Sequence, residues 1–166
     1  MKSNICIFGS NSILAKNFIE NYKNHFHLIG IQRETIKIKS ENNAMKIIKF
    51  NLGDKYHESG YKKLFEQLSK FNNAKFKTFI IFAWAGKPRQ INKDICDLNK
   101  NKNNNIFNNL INISKKFKPN QIVFISSAGA IYDQNSKDYF VEKDSPNPSS
   151  AYGFQKLEME QKLFDF

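Results

Sequence analysis

ICIFGSNSILA, residues 5–15, joins an apolar run to a turn of small residues and then to the start of an amphipathic segment. Further short apolar runs follow along the chain, and longer amphipathic stretches separate them. Short apolar runs are typical of buried parallel strands, which need crossover helices between them. The pattern predicts an α/β fold, a doubly wound parallel sheet of the Rossmann type with helices on both faces.

The predicted strands are Ile5–Phe8, His27–Ile31, Met45–Phe50, Phe79–Phe82 and Ile122–Ile125. The predicted helices are Ile13–Tyr22, Tyr61–Lys70, roughly Ile95–Phe117, and Ala151–Phe164. Asn101–Asn109 looks like low-complexity sequence, but apolar residues recur at helical spacing through its second half, so it is kept in the helix. With 166 residues, the chain is long enough for one domain with a core of its own.

The charge and the cysteine content limit the classes of function that the chain can have. The formal net charge is +11, but only Arg33 and Arg89 are arginines and the lysines are scattered, which does not favour a nucleic-acid site. Cys6 and Cys96 are too few for a disulfide framework and lack metal-ligand spacing. No apolar run approaches the length of a membrane span. We expect a cytoplasmic protein that binds neither nucleic acid nor membranes and holds no metal.

The turn after the first predicted strand has the context of a dinucleotide-binding turn. Gly9 permits a tight turn, Ser12 lies where the backbone would approach a pyrophosphate, and Ala15 lets the helix pack close to the sheet. The helix N-terminus then offers free N–H groups to phosphates. An ordinary strand-to-helix turn is the alternative interpretation, because only the first of these positions is a glycine.

The end of the second predicted strand bears on the choice of cofactor. It reads Ile31-Gln32-Arg33 and lacks the acidic residue that binds the ribose of NAD. Arg33 could instead contact a 2′-phosphate, although it could equally be a solvated loop residue. The cofactor is therefore predicted to be NAD or NADP.

A candidate catalytic group follows the last predicted strand. Ser126 and Ser127 close that strand, and Tyr152 and Lys156 open the last predicted helix four residues apart, on one helix face. Lowering a phenol pKa from about 10 to about 7 takes about 4 kcal/mol, which a cation about 4 Å away can supply. Tyr152 is then the base, and Ser127 holds the substrate oxygen. Tyr139–Lys143 repeats the Tyr-Lys spacing, but prolines follow at once and rule out a helix there.

These pieces, in this order, resemble the extended short-chain dehydrogenase/reductase family, in particular the nucleotide-sugar epimerase/dehydratase group. NLGD at residues 51–54 is similar to the family's Asp-x-x-Asp, and FAWAG at 82–86 to the segment that lines the cofactor. SSAGAIY at 126–132 is similar to its serine-rich strand end and following tyrosine. Counting back from Tyr132 places Ala128 in the catalytic serine position, whereas counting back from Tyr152 places Ser127 there, and we favour Ser127.

The resemblance implies a set of site residues. The catalytic residues it implies are Tyr152, Lys156, Ser127 and Asn103. The cofactor-binding residues it implies are Gly9, Asn11, Ser12, Ile13, Leu14, Arg33, Asn51, Leu52, Ala83, Trp84, Ala85, Tyr152 and Lys156. Packing beside the sheet is the alternative role for Trp84.

The resemblance also implies an activity. Tyr152 would deprotonate a sugar hydroxyl of a nucleotide sugar while hydride passes to the nicotinamide. Ala128-Gly129 stand where dehydratases carry an Asp-Glu pair, which leaves an epimerase or a ketone reductase. Residues 1–166 would be one NAD(P)-binding domain ending before the last strands and the substrate domain, and members commonly form homodimers. The alternatives are a non-catalytic NAD(P)-binding module and a degraded relative that binds no cofactor.

Overall fold

A parallel five-stranded sheet with the order β3-β2-β1-β4-β5 organises the chain. The computed structural model describes residues 2–34, 45–71, 73, 75–132 and 139–166. The strands are β1 (Asn4–Phe8), β2 (His27–Gln32), β3 (Met45–Lys49), β4 (Phe76–Ile81) and β5 (Gln121–Phe124). The helices are α1 (Ile13–Tyr22), α2 (Glu58–Ser69), α3 (Lys93–Phe117), α4 (Ala128–Ile131) and α5 (Ala151–Phe164). The prediction of a Rossmann-type α/β fold is confirmed.

The apolar run ICIF forms most of β1, the central strand of the sheet. All five residues of β1 are buried, and the strand pairs in parallel with β2 on one side and β4 on the other. The chain order reverses between β1 and β4, so the carboxyl ends of these two strands border the crevice where ligands bind in open α/β sheets.

The core lies on both faces of the sheet. The face covered by α2 and α3 is rich in aromatic residues, and the Phe8 and Phe79 rings meet edge to face with centroids 5.1 Å apart. The opposite face packs Ile5, Ile7 and Leu28 against Ala15 of α1. Packing on both faces thus holds the sheet in place and fixes the positions of the strand ends that border the crevice.

Helix caps set the helix starts. Ser12, His57, Asn92 and Ser150 each accept a hydrogen bond from the backbone N–H three residues on. The N-cap of α5 is Ser150, whose side chain accepts from the Gly153 N–H. The start predicted for α2, Tyr61, is wrong because the His57 ring caps the helix and lets it begin at Glu58. The asparagine-rich segment is helical as predicted, and Tyr139–Lys143 is not a helix.

Candidate functional site

The turn between β1 and α1 is as tight as its sequence predicts. Gly9 has φ +80°, and a Cβ there would lie 2.6 Å from the backbone nitrogen of Ala83. The Gly9 N–H donates to the Ile31 carbonyl (2.8 Å), and the Ser12 N–H donates to the Gly9 carbonyl (3.0 Å). The chain therefore needs glycine at position 9, where the ends of β1, β2 and β4 come together.

A cavity of about 310 Å³ opens at this edge of the sheet. The predicted cofactor residues that line it are Gly9, Asn11, Ser12, Arg33, Asn51, Leu52, Ala83, Trp84 and Ala85. Ile13 and Leu14 are not among its lining residues, and they stand 86% and 62% exposed in the first turn of α1. The volume falls within the range of small-molecule sites, which is about 300–1,000 Å³.

Three polar residues of the cavity wall were not predicted: Gln32, Asn99 and Lys102. Asn99 and Lys102 lie three residues apart on α3, and Ile106 continues the same face into the wall. This helical spacing was present in the sequence, but the asparagine-rich composition of α3 obscured it.

The end of β2 shows how a strand without the ribose-binding acid is organised. The Ser10 hydroxyl donates to the Gln32 side-chain oxygen (2.8 Å), and the Gln32 amide nitrogen donates to the Glu34 carbonyl (2.6 Å). Ser10 and Gln32 are both buried, so the Gln32 amide is committed to the protein. Arg33, which follows β2, is exposed and lines the cavity, so this strand end contributes a guanidinium to the cavity wall.

The loop after β3 forms a second wall of the cavity. The Asn51 side chain accepts from the Gly53 N–H (3.1 Å) and donates to Asp54 (2.7 Å), which shapes the loop from within. From α3, the Asn109 amide donates to the carbonyls of Leu52 (2.7 Å) and Asp54 (3.0 Å). A helix whose sequence looks like low complexity therefore holds the loop that contains Asn51 and Leu52.

Asn103 also supports a loop. Its side chain accepts from the Ala85 N–H (2.8 Å) and donates to the Ala85 carbonyl (3.0 Å) and to Gln155 (2.7 Å). Asn103 is 1% exposed and is not among the residues that line the 310 Å³ cavity. The structure thus places Asn103, predicted as catalytic, where it links the loop after β4 to α5, with both ends of its amide bonded to protein groups.

The structure brings Ser127, Tyr152 and Lys156 together. Ser127 lies three residues after the end of β5, and a side-chain hydrogen bond links it to Tyr152. The Trp84 ring meets the Tyr152 ring edge to face at 6.1 Å. Lys156 Nζ donates to the Ile125 carbonyl (2.8 Å) and lies 5.8 Å from the centre of the Tyr152 ring.

The ionisation of this group differs from the sequence-based expectation. Burial raises the pKa of Tyr152, and the hydrogen bond with Ser127 opposes that rise. Burial lowers the pKa of Lys156 to about 8, while Glu160 acts in the opposite direction. We expected Lys156 to lower the pKa of Tyr152, but the ammonium lies over the Trp84 ring, at 4.0 Å from its centre, and burial dominates at the phenol.

A second cavity, of about 730 Å³, is lined by Ser127. Its described wall contains the rings of Tyr132, Tyr139 and Phe140 and the carboxylates of Glu142 and Glu160. Ser127 thus borders this space, whereas neither Tyr152 nor Lys156 is among its described lining residues.

The residues present fit a dinucleotide. The turn at Gly9 brings the backbone close to the cavity, and the N-terminus of α1 points N–H groups at the same edge. The indole N–H of Trp84 is buried in the cavity wall and finds no acceptor among the described residues. A polar group left unpaired in this way suits a wall completed by a polar ligand.

Solved structures share this architecture over nearly all of the chain. Thermus thermophilus UDP-glucose 4-epimerase, solved with NAD, matches 98% of this chain at TM-score 0.78 and 18% identity. Methanobrevibacter ruminantium UDP-N-acetylglucosamine 4-epimerase, solved with UDP-N-acetylmuramic acid, matches 100% at TM-score 0.74 and 21% identity. L-threonine dehydrogenase from Clostridium difficile matches 96% at TM-score 0.72 and 19% identity. The matches cover 50%, 51% and 47% of those chains, so this chain spans about half their length.

At these identities the structural matches establish the fold. No curated protein sequence matches the chain. No helix in the described ranges is long and apolar enough to cross a membrane. The model of the NAD dependent epimerase/dehydratase family matches residues 5–166, and the chain belongs to that family.

Proposed function

We propose that this chain is the cofactor-binding and catalytic part of an NAD(P)-dependent nucleotide-sugar epimerase or ketone reductase. The observation that carries the proposal is the joining of two features at one sheet edge. The cavity at Gly9 and the Ser127–Tyr152–Lys156 group share Trp84, which lines the cavity and contacts the Tyr152 ring edge to face.

Different residues of the chain would bind the cofactor and transfer the proton. Gly9, Ser12 and the start of α1 would hold the pyrophosphate, and Asn51 and Leu52 would flank the adenine end. A bound nicotinamide cofactor supplies a hydride acceptor beside the substrate carbon. Ser127 would hold the reacting oxygen, and Tyr152 would take the proton from it. Asn103 supports this arrangement by fixing Ala85 and α5.

The proposed cofactor is a nicotinamide dinucleotide, and the end of β2 bears on whether its adenosine ribose carries a 2′-phosphate. Gln32 stands at the end of β2, where an acid would bind the ribose diol of NAD, and its amide is committed to the Ser10 hydroxyl and the Glu34 carbonyl. Arg33 at the cavity favours NADP, because a guanidinium pairs with a 2′-phosphate in a bidentate way. NADP is therefore our preferred cofactor, and NAD is the alternative.

The substrate class follows from the family and from the second cavity. The rings of Tyr132 and Phe140 stack with centroids 4.9 Å apart, and two carboxylates face the same space as Ser127. Aromatic faces and carboxylates suit the apolar faces and hydroxyls of a sugar. Ala128 and Gly129 supply no extra acid or base beside Ser127, which favours an epimerase or reductase over a dehydratase.

A non-catalytic NAD(P)-binding module is the second candidate. The observation that favours it is the pKa of Tyr152, which burial raises although a base near neutral pH needs it lowered. This candidate shares the cofactor cavity and lacks the proton transfer.

One assay separates these candidates. The chain is mixed with NAD+ or NADP+ and UDP-glucose, and the absorbance of the reduced nicotinamide is followed for wild type and Tyr152→Phe, with dinucleotide affinity measured in parallel. An epimerase returns the hydride to the sugar and accumulates no reduced nicotinamide, so the same mixtures are also analysed by chromatography for conversion of UDP-glucose to its epimer. The enzyme proposal expects either reduced nicotinamide or the epimer with wild type, and loss of that product in Tyr152→Phe at equal affinity. Binding with neither product from any UDP-hexose tested supports the module, and absence of binding contradicts both.

We also propose that the chain associates as a homodimer. α3 and α5 carry exposed apolar side chains, including Leu98 (52% exposed) and Phe154 (58% exposed), on helices that family members commonly pair. Light scattering of wild type and Phe154→Ser tests this: a dimer weakened by the substitution supports it, and a wild-type monomer at high concentration contradicts it.

A further inference from the structure

The Lys156 ammonium is held by aromatic rings. Its Nζ lies 4.0 Å from the centre of the Trp84 ring and 4.5 Å from the centre of the Phe124 ring. It donates a hydrogen bond to the Ile125 carbonyl at 2.8 Å. Lys156 is 4% exposed, and none of the described carboxylates forms an ion pair with it.

A buried cation needs compensation for the water it has lost. A carboxylate usually supplies it, whereas here the compensation comes from one carbonyl oxygen and the negative faces of two rings. The attraction of an ammonium to a ring face is strongest for tryptophan and increases when the cation is desolvated. The nearer of the two rings is the indole.

We propose that Trp84 is the positioning residue of this site, and that its π face keeps the Lys156 ammonium charged and fixed between the cofactor cavity and Tyr152. Trp84 touches both members of the pair, since its ring also meets the Tyr152 ring at 6.1 Å with an interplanar angle of 82°. The location of the ammonium relative to the cofactor rests on the proposed function, whereas its dependence on Trp84 does not.

Packing alone does not account for this tryptophan. Its indole N–H is buried without an acceptor among the described residues, which costs free energy that phenylalanine or leucine would avoid. Trp84 also lines the cofactor cavity, so a ring at this position holds the lysine while forming part of the wall. Support of the ammonium by the ring face, together with a polar ligand for the N–H, accounts for a tryptophan at this position.

The charged and titratable groups around Lys156 are few. Tyr152 and Glu160 face it from its own helix α5, and Glu160 is the one that acts on its pKa by charge. The loop of Trp84 and the end of β5 present rings and a backbone carbonyl. A change at Trp84 therefore acts on the ammonium without removing a charge.

The test measures the ionisation of Lys156 in the absence of cofactor and substrate. Competitive acetylation with acetic anhydride over a range of pH, followed by peptide mass spectrometry, gives the labelling midpoint of Lys156 in wild type, Trp84→Leu and Trp84→Phe. Leucine keeps the surroundings apolar and removes the π face, and phenylalanine keeps a ring. We expect the midpoint to fall by about one pH unit in Trp84→Leu and by less than half of that in Trp84→Phe.

Equal midpoints in the leucine and phenylalanine variants would overturn the proposal, as would a midpoint that rises in both. Circular dichroism checks the fold of each variant. If Trp84→Leu does not fold, Phe124→Leu removes the more distant ring, and a smaller fall is expected, whereas an unchanged midpoint contradicts support by the rings. A chain that binds neither NADH nor NADPH would contradict the proposed function. The labelling midpoints, which are measured without cofactor, would be unaffected, so failure of the proposed function can be told apart from failure of the proposed role of Trp84.

Discussion

Replacing Lys156 with methionine is expected to make the folded chain more stable near neutral pH, even though the lysine belongs to the candidate catalytic group. Burial lowers the pKa of this lysine from 10.5 to about 8, so the folded state holds its proton less tightly than the unfolded state does. One pKa unit corresponds to about 1.4 kcal/mol, so the charged form costs the fold about 3 kcal/mol. That cost is fully present below pH 8 and disappears as the pH rises from 8 to 10.5.

Methionine fills a similar volume without a charge, but it leaves the Ile125 carbonyl without its donor. The lost hydrogen bond offsets about 1 kcal/mol of the gain. We therefore expect Lys156→Met to be more stable than wild type by about 2 kcal/mol at pH 7. By pH 10 about 2–3 kcal/mol of the cost of the charge has disappeared, so we expect the two chains to be about equally stable or wild type to be slightly more stable. Other groups that titrate in this range are common to both chains and cancel to first order in the difference.

Urea unfolding of both chains at several pH values between 7 and 10, followed by circular dichroism, measures the difference. Lys162→Met is the matched control, because Lys162 lies on the same helix at the surface and pairs with Glu158 at 2.6 Å. A surface pair of this kind contributes less than about 1 kcal/mol. A difference between wild type and Lys156→Met that stays constant from pH 7 to pH 10 would refute the reasoning.

Gly9→Ala is expected to destabilise the chain by more than about 2 kcal/mol and to abolish nucleotide binding, because the new Cβ would lie 2.6 Å from a backbone nitrogen at φ +80°. Thermal unfolding measures the loss of stability, and titration with the nucleotide measures the loss of binding. Gly53→Ala is the tolerated control, because the nearest atom to its new Cβ would be 3.4 Å away. Asn109→Ala leaves two carbonyls of the loop after β3 without a donor, so we expect a loss of about 2–3 kcal/mol in urea unfolding. Arg33→Ala is expected to weaken NADPH binding about tenfold and to leave NADH binding unchanged, whereas exposed Arg89→Ala alters neither. Equal effects on the two nucleotides would contradict the role of Arg33.

Much of the fold follows from local patterns. The apolar runs predicted the strands, since parallel strands covered on both faces leave little room for polar residues. The predicted start of β4, Phe79, was late because exposed Lys77 interrupts the run that begins at Phe76. Helix α4 carries no amphipathic period in its four residues, so its sequence gave no helical signal.

The candidate site was predictable where it depends on spacing along one element. Tyr152 and Lys156 share a helix, and the strand end before them delivers Ser127, so the motif predicts their meeting. The direction of the Lys156 side chain depends on rings from other elements, and local spacing does not encode such contacts. The bonds from Asn109 of α3 to the loop after β3 span more than 50 residues and leave no periodic signal for the same reason.

The most direct test of the proposed function uses Trp84, the single tryptophan of the chain, which lines the cofactor cavity. NADH and NADPH absorb in the range where the indole emits, so a nicotinamide dinucleotide bound in this cavity quenches Trp84 fluorescence by energy transfer. We predict saturable quenching by at least one of the two, with a dissociation constant in the micromolar range, and its loss in Gly9→Ala. Fluorescence that falls only in proportion to added nucleotide, with no saturation for either, would contradict the assignment of this cavity as the cofactor site.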